Sequence, residues 1–477
     1  MFALVLLAPP PDGLPPAGMR TAAVAVLMAV WWITEPIPIP ATSLLPLLLF
    51  PLLDAGTIRD VAPPYAHPLV FLFMGGFMMA LAMQRWGLHR RIALHVIRRT
   101  GTRPTSVVAG FMVSAAFLSM WVSNTATAMM MLPIGLSVIG LAGESPNQSR
   151  ASDPFAVALL LGIAYACSIG GLGTLIGTPP NAFMAAFLLE TYGIEISFVR
   201  WMAVGVPVVV VSLPLSIWIL TRVAFPVHHS TLAGGQELIS RELRKMGPIS
   251  RAEAMVAGVF ALTAFAWIFR PLLGKWVPGL SDPGIAVAAA ILLFLVPVDL
   301  RRGKFLLNWE WAQRVPWGVL LLFGGGLSLA AAIQRSGLAA WLAQALHGLS
   351  AWPTPVIVVA AAVLIILLTE FTSNTATAAA FLPILASVAD GIGRHPMLLV
   401  VPAAMAASCA FMLPVATPPN AIVYGSNRLT IPQMLRAGVL LEILFIGLVT
   451  ATTYALLPLV FGVPVGSAPL EPPGVAR

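Results

Sequence analysis

The chain has 477 residues, of which 59% are hydrophobic and only 9% are charged, and its mean hydropathy is +0.92. Soluble domains carry roughly 25% charged residues, so this composition excludes a soluble globular domain and predicts a membrane protein. A net charge of +8 is also found in nucleic-acid-binding proteins, but here the basic residues lie in several short loops between apolar segments. We therefore expect no nucleic-acid partner.

The apolar segments predict helices, and several of these are too short to cross a bilayer. Crossing about 30 Å of hydrocarbon at 1.5 Å per residue takes about 20 residues. In chain order, the predicted helices lie near 19–35, 40–53, 67–86, 104–122, 126–141, 154–176, 180–192, 198–225, 252–270, 283–298, 316–334, 355–370, 376–389, 397–415, 419–427 and 435–461. The short ones flank polar breaks, which is the pattern of re-entrant hairpins and discontinuous helices.

Two polar motifs occur twice in the chain. The sequence Ser-Asn-Thr-Ala-Thr-Ala begins at Ser123 and again at Ser373, and Thr-Pro-Pro-Asn-Ala begins at Thr178 and again at Thr417. The offset between copies is 250 residues for the first motif and 239 for the second, so the first half contains an insertion, for which 143–154 is one candidate. Matched polar breaks in apolar sequence are typical of a duplicated transporter with its site near the bilayer midplane.

The repeat divides the chain into five predicted parts. We expect N-terminal helices over 1–65, a first repeat over 66–225, a loop with connecting helices over 226–315, a second repeat over 316–461 and a C-terminal tail over 462–477. The first repeat contains a hairpin at about 104–141 and a broken helix at about 154–192. The second contains a hairpin at about 355–389 and a broken helix at about 397–427.

The distribution of positive charge predicts that the two repeats are inverted. When the chain is threaded from the first hairpin, the loops at 85–103, 142–153, 222–251, 299–315 and 427–436 share one side and hold 18 of the 26 Lys and Arg residues. The richer side is expected to be cytoplasmic. On this threading the second hairpin opens to the opposite side from the first.

The Ser-Asn-Thr turns carry groups that suit both an anion and a cation. The second helix of each hairpin presents free N–H groups at its positive end, which favours an anion, and the hydroxyls of Ser and Thr can donate to its oxygens. The side-chain oxygens of Asn124 and Asn374 can coordinate a hard cation. One turn earlier, Ser119 and Thr369 lie on the same helical face as the motifs. Such residues also serve as polar contacts between membrane helices, but the matched pairs favour a binding site.

The proline pairs of the second motif predict unwound backbone. Pro179-Pro180 and Pro418-Pro419 lack N–H groups, so the carbonyls of Gly177 and Ala416 become candidate cation ligands, with the hydroxyls of Thr178 and Thr417 beside them. A simple kink is the alternative. No Lys or Arg occurs in the motifs, so an anion would be balanced by bound cations and helix ends.

Glu370 directly follows the candidate cation ligand Thr369, and the equivalent position in the first repeat is Met120. A buried carboxylate there is either a proton-coupling group or a structural partner of backbone or Arg. Motifs for metalloproteases, phosphate-binding loops and serine hydrolases are absent, and the two cysteines form no CxxC pair. We therefore expect a transporter rather than an enzyme.

These residues resemble the divalent anion/sodium symporter family. The similarity rests on the paired motifs and on Trp31-Trp32-Ile33-Thr34-Glu35-Pro36-Ile37-Pro38 followed by Leu44-Leu45-Pro46, and it covers almost the whole chain from about residue 18. The first spanning helix of the family looks truncated in this chain. The resemblance implies an all-α polytopic fold, a homodimer, and an elevator mechanism in which a transport domain moves against a scaffold that includes 1–65 and part of 226–315.

The resemblance also implies the ligands of one shared site. Ser119, Ser123, Asn124 and Gly177 would bind one Na⁺ ion, and Thr369, Asn374 and Ala416 would bind another. The anion would be surrounded by Ser123, Asn124, Thr125, Thr178, Ser373, Asn374, Thr375, Thr417 and Pro418. The expected function is Na⁺-coupled uptake of C4-dicarboxylates such as succinate, fumarate or malate across the plasma membrane. Na⁺-independent dicarboxylate exchange and transport of sulfate or citrate remain the alternatives.

Overall fold

The structure is a computed structural model that describes residues 2–141, 153–227 and 235–464. The described residues up to 227 form twelve α-helices: α1 Phe2–Leu7, α2 Pro16–Thr34, α3 Ile39–Thr42, α4 Leu45–Leu52, α5 Ile58–Val61, α6 Pro68–Arg85, α7 Leu88–Arg98, α8 Pro104–Ser119, α9 Asn124–Leu141, α10 Pro154–Gly171, α11 Pro179–Tyr192 and α12 Phe198–Trp218. A π-helical turn, Ile219–Ala224, continues α12.

The second half adds twelve more: α13 Gly235–Met246, α14 Arg251–Ile268, α15 Arg270–Leu273, α16 Asp282–Leu295, α17 Trp309–Ala312, α18 Trp317–Arg335, α19 Leu338–Ala345, α20 Thr354–Thr369, α21 Asn374–Gly391, α22 Met397–Ala406, α23 Pro418–Tyr424 and α24 Ile431–Phe461. Among the described residues, a two-stranded antiparallel ribbon, β1 Pro297–Asp299 and β2 Lys304–Phe305, interrupts the helical fold. In the described ranges, eight helical segments are long and apolar enough to cross a membrane. The chain is a multi-pass membrane protein.

The two hairpins have the same dimensions. In each, a 16-residue helix that begins with proline at its first or second position is followed by a four-residue turn and an 18-residue helix; these are α8 and α9 in the first half and α20 and α21 in the second. The helices of each pair pack against each other. A 16-residue helix is about 24 Å long, which is shorter than the hydrocarbon layer.

The broken helices unwind earlier than the proline pairs alone predict. The sequence indicates helix to about 176 and about 415, but α10 ends at Gly171 and α22 ends at Ala406. The prolines instead begin the next helices: Pro179 and Pro180 open α11, and Pro418 and Pro419 open α23. Proline suits the first turn of a helix because the missing N–H has no intrahelical acceptor there. Residues 172–178 and 407–417 therefore form two non-helical loops.

The short helices after these loops each pack against the other half of the chain. Helix α11 contacts α21 and α22, and α23 contacts α9 and α10. This reciprocal packing brings both hairpins and both broken helices together in the core.

Amphipathic helices account for most of the structure that hydropathy alone does not predict. Helix α7 and helix α13 lie within stretches that we expected to be loops, because their charged faces lower the average hydropathy. The candidate insertion at 143–154 lies almost entirely outside the described residues, as does the C-terminal tail beyond 464.

Glycines let the helices around this core approach closely. A methyl group on Gly75 of α6 would lie 2.5 Å from the carbonyl oxygen of Ala286 on α16, and one on Gly325 of α18 would lie 2.2 Å from the carbonyl oxygen of Ser43. Backbone atoms cannot move away as a flexible side chain can, so only glycine fits at these positions.

We predict that Gly75→Ala destabilises the protein, because the added methyl group must push α6 away from α16. Overpacking of this kind costs about 1–3 kcal/mol. The measurement is the thermal unfolding temperature in detergent. Gly258→Ala on α14 is the matched control, since a methyl group there meets no atom within 4 Å. Equal unfolding temperatures for the two variants would refute the close contact.

Candidate functional site

Both Ser-Asn-Thr motifs lie at hairpin tips, where a helix begins. Helix α9 starts at Asn124 and α21 at Asn374, so each motif serine precedes the first helical residue. In the first tip, Ser123 Oγ accepts a hydrogen bond of 3.3 Å from the backbone N–H of Ala126. The first N–H groups of each helix have no intrahelical acceptor and carry the positive end of the helix dipole. Both tips are therefore suited to hold an anion.

The first candidate cation site contains buried oxygens without a protein partner. Ser119 Oγ and Asn124 Oδ1 are buried and have no hydrogen-bond partner among the described residues. The Asn124 side chain lies beside the unwound loop: a methyl group on Gly171 would be 3.2 Å from Asn124 Oδ1 and 3.1 Å from the carbonyl oxygen of Gly177. An unsatisfied buried oxygen costs about 1–3 kcal/mol, so the oxygens of Asn124 and Gly177, which both lie beside Gly171, suit a cation.

The second candidate site has a related arrangement. Thr369 Oγ1 lies 2.8 Å from Asn374 Oδ1 and 2.9 Å from the carbonyl oxygen of Ala407. The structure thus joins Thr369, Asn374 and the start of the second loop. Ala416 is buried at the far end of that loop, and no hydrogen bond among the described residues links it to Thr369 or Asn374.

The asparagines of the Thr-Pro-Pro-Asn motifs hold the two loops, a role that sequence reasoning missed. Asn181 Nδ2 donates to the carbonyls of Gly171 at 3.1 Å and Thr174 at 2.9 Å. Asn420 Nδ2 donates to Ala410 at 3.3 Å and Leu413 at 3.0 Å. In both halves the acceptors lie ten and seven residues before the asparagine. The sequence signal that could have revealed this role was the asparagine that occurs at the same position of both Thr-Pro-Pro-Asn motifs.

Each loop is also attached to the hairpin of its own half, but by different chemistry. In the first half, the hydroxyl of Thr174 donates to the carbonyl of Met120. In the second half, the Glu370 carboxylate accepts from the backbone N–H groups of Met412 at 2.9 Å and Leu413 at 2.8 Å. Glu370 occupies the position of Met120, and Leu413 that of Thr174, in the repeat. This geometry gives Glu370 a structural role in holding the second loop.

The two loops meet at the centre of the molecule. Thr178 Oγ1 lies 3.2 Å from Ser408 Oγ, a contact between residues 230 positions apart in sequence. Thr178 and Thr417 are both buried, and Thr417 caps α23 by accepting from the N–H of Asn420. Thr375 is buried, whereas Pro418 is exposed. The hydroxyls predicted to surround an anion thus belong to two halves that are in direct contact.

Comparison with known proteins identifies the family. The model of the family described as the sodium:sulfate symporter transmembrane region matches residues 1–462. The chain belongs to this family. Its members are transporters, which confirms the expectation that the chain is not an enzyme, and the match covers both halves of the repeat.

Several curated relatives are similar over nearly their whole length. The chain is 45% identical over 473 residues to the sodium-dependent dicarboxylate transporter SdcS of Staphylococcus saprophyticus, covering 98% of this chain and 91% of that relative. It is 44% identical over 470 residues to SdcS of Staphylococcus aureus strain USA300, covering 97% and 90%. The predicted resemblance to anion/sodium symporters is thereby confirmed.

Solved structures share the fold of this symporter family member at low sequence identity. The YdaH transporter of Alcanivorax borkumensis superposes with a TM-score of 0.59 at 17% identity, over 95% of this chain and 100% of that one. MtrF of Neisseria gonorrhoeae gives a TM-score of 0.56 at 11% identity, over 97% and 98%. These likenesses concern the fold alone.

We predict that Asn181→Ala and Asn420→Ala each reduce transport at least tenfold. Each variant removes two hydrogen bonds and leaves one buried carbonyl, that of Gly171 or of Ala410, without a partner, at a cost of about 1–3 kcal/mol. It also loosens the loop beside a candidate cation site. Initial uptake rates in proteoliposomes, normalised to reconstituted protein, measure the effect.

Asn308→Ala is the matched control for both variants. It removes the same side-chain amide and a helix cap at α17, where Asn308 Oδ1 accepts from the N–H of Trp311, away from the loops. The control should lose stability but keep its uptake rate. If Asn181→Ala and Asn420→Ala transport as well as Asn308→Ala does, the loops do not depend on these amides.

Proposed function

We propose that the protein is a secondary active transporter that couples Na⁺ entry to uptake of a C4-dicarboxylate, such as succinate, fumarate or malate, across the plasma membrane. One observation carries this proposal. Polar oxygens lie at the start of α9, around Asn124, and at the start of α21, around Asn374, and the two halves meet where Thr178 contacts Ser408. The names of the SdcS relatives support the choice of Na⁺ and a dicarboxylate.

Each end of a dicarboxylate would bind at one hairpin tip. Ser123, Asn124 and Thr125 would contact one carboxylate, and Ser373, Asn374 and Thr375 the other. Thr178, Thr417 and Pro418 would border the anion from the loops. The ends of α9 and α21 each favour negative charge through their N–H groups, so a molecule with two separated carboxylates suits two separate tips.

Two Na⁺ ions would supply the charge that the site lacks. Ser119, Ser123, Asn124 and Gly177 form one proposed ion site, and Thr369, Asn374 and Ala416 the other. Since no Lys or Arg occurs in either motif, a dianion is balanced mainly by these ions. Each ion then raises affinity for the anion, and the anion raises affinity for the ions by the same factor. That reciprocity is the basis of symport.

Alternating access would come from movement of the core against the surrounding helices. We propose that the halves 66–225 and 316–461 are inverted repeats, and that their hairpins and broken helices move together as a transport domain in an elevator mechanism. The helices of 1–65 and part of 226–315 would form the scaffold and carry the interface of a homodimer.

The test is uptake of radiolabelled succinate into proteoliposomes with and without an inward Na⁺ gradient. We predict accumulation above the external concentration only with the gradient, because Na⁺ entry supplies the driving force. Uptake that ignores Na⁺ but requires internal succinate would show an exchanger instead. If sulfate or citrate accumulates with Na⁺ and succinate does not, the substrate assignment is wrong.

We further predict that Ser119→Ala raises the Na⁺ concentration for half-maximal uptake by about three- to tenfold, as expected for the loss of one ligand worth about 0.5–1.5 kcal/mol. Apparent affinity for succinate at saturating Na⁺ should change little. Ser137→Ala, which removes an exposed hydroxyl of α9, is the control. An unchanged Na⁺ dependence in Ser119→Ala would remove this residue from the ion site.

A further inference from the structure

A basic cleft lies between α7 and α13. Its volume is about 520 Å³, and it is lined by the side chains of Arg91, His95, Arg98, Ser240 and Arg244, with Leu243 and Gly247. The two helices pack against each other through α7 residues such as Leu94 and Ile97 and α13 residues such as Ile239 and Leu243, all of which are buried.

The cleft lies at the level where membrane-spanning helices end. Helix α6 is a candidate span that ends at Arg85, just before α7, and α14 is a candidate span that begins at Arg251, just after the cleft residue Gly247. Both α7 and α13 are amphipathic, with apolar residues buried and arginines at the surface. Such helices lie in the plane of the membrane interface.

Most acidic groups near the cleft already have partners, which leaves positive charge unbalanced. Glu253 accepts from Arg91 at 2.9 and 3.1 Å, and Glu242 pairs with Arg90 and Lys245. The hydrogen bond from Lys245, aided by the nearby positive charges, lowers the pKa of Glu242, so it stays ionised.

Two arginines remain available at the cleft. Arg98 is exposed and has no ion pair or hydrogen bond through its side chain among the described residues. Arg244 pairs with Glu237, but both side chains are more than 60% exposed, so that pair is weak and easily exchanged. One arginine without a partner and one with an exposed, exchangeable partner can together present several donors to a single anion.

The repeat supplies an internal comparison. Helix α19 occupies the position of α7 in the second half, and Arg91, His95 and Arg98 correspond to Trp341, Ala345 and Gly348. Helix α19 contains no charged residue. The fold of the repeat therefore does not require arginines here. Their presence on one copy only places the basic cleft on the side that positive charge predicts to be cytoplasmic, where anionic lipid headgroups are available to it.

We propose that the cleft between α7 and α13 binds a phosphate group. Arginine matches phosphate geometry with paired N–H donors, and basic pockets at the cytoplasmic interface suit the phosphates of anionic lipid headgroups. The interfacial position favours a lipid over free phosphate as the source. Because α7 joins α6 to the hairpin helix α8, a bound headgroup would fix this connecting helix to the membrane surface.

Titration of phosphatidylglycerol into the purified full-length protein, with bound lipid counted by native mass spectrometry, tests the proposal. The double variant Arg98→Gln/Arg244→Gln should bind phosphatidylglycerol about 30-fold more weakly, given about a fivefold loss for each removed charge. Arg98→Lys, which keeps the charge, should bind nearly as well as wild type. Arg301→Gln/Arg302→Gln, which removes two exposed arginines elsewhere on the same predicted side, is the matched control and should bind like wild type.

Competition by inorganic phosphate distinguishes the two sources of the ligand. If phosphate displaces phosphatidylglycerol from the wild type but phosphatidylcholine never binds, the cleft recognises phosphate from either source. If phosphate fails to displace it, the cleft is specific for a lipid headgroup. Equal affinity of the wild type and Arg98→Gln/Arg244→Gln for both probes would overturn the proposal. Binding is measured without transport, so this result is independent of the transported substrate.

Discussion

The rest of the structure depends on two segments of non-helical backbone, the loops 172–178 and 407–417, whose polar groups must be satisfied inside a membrane protein. In lipid, an unpaired carbonyl costs several kcal/mol, so non-helical backbone survives there only if the protein satisfies it. Asn181 and Asn420 do this with one amide each, which bonds two carbonyls in or at the start of the loop. Each amide thereby fixes the backbone next to a candidate ion site.

The two halves meet this constraint with the same geometry but different chemistry. Where the first half ties its loop to the hairpin with a hydroxyl of Thr174, the second uses the carboxylate of Glu370. Glu370 accepts two backbone N–H groups, whereas Thr174 makes a single hydrogen bond, so these residues give the second loop one more hydrogen bond to its hairpin than the first. The second loop is thus fixed more firmly, and the two proposed ion sites need not bind Na⁺ with equal affinity.

Much of this arrangement could be predicted from the sequence, because the duplication repeats each polar motif at a matching position in the other half. The paired motifs located both hairpin tips and both loops, and their equal offset singles out Ser119 and Thr369 as candidate ligands. The start of unwinding at Gly171 and Ala406 was not predictable, because it depends on side chains from the following helix that bond back to the loop. Nor was the contact of Thr178 with Ser408, which depends on how the halves pack. Helices α7 and α13 were not predicted, because the charged face of an amphipathic helix lowers the mean hydropathy of its segment.

The central claim is that one anion binds between the two hairpin tips, with an ion beside each loop. The most direct test is a structure by cryo-electron microscopy in lipid nanodiscs with saturating Na⁺ and succinate. The account predicts elongated density between residues 123–125 and 373–375, with one compact peak near Ser119 and Asn124 and another near Thr369 and Asn374. Succinate density anywhere else, or tips too far apart for one molecule to contact both, would contradict it.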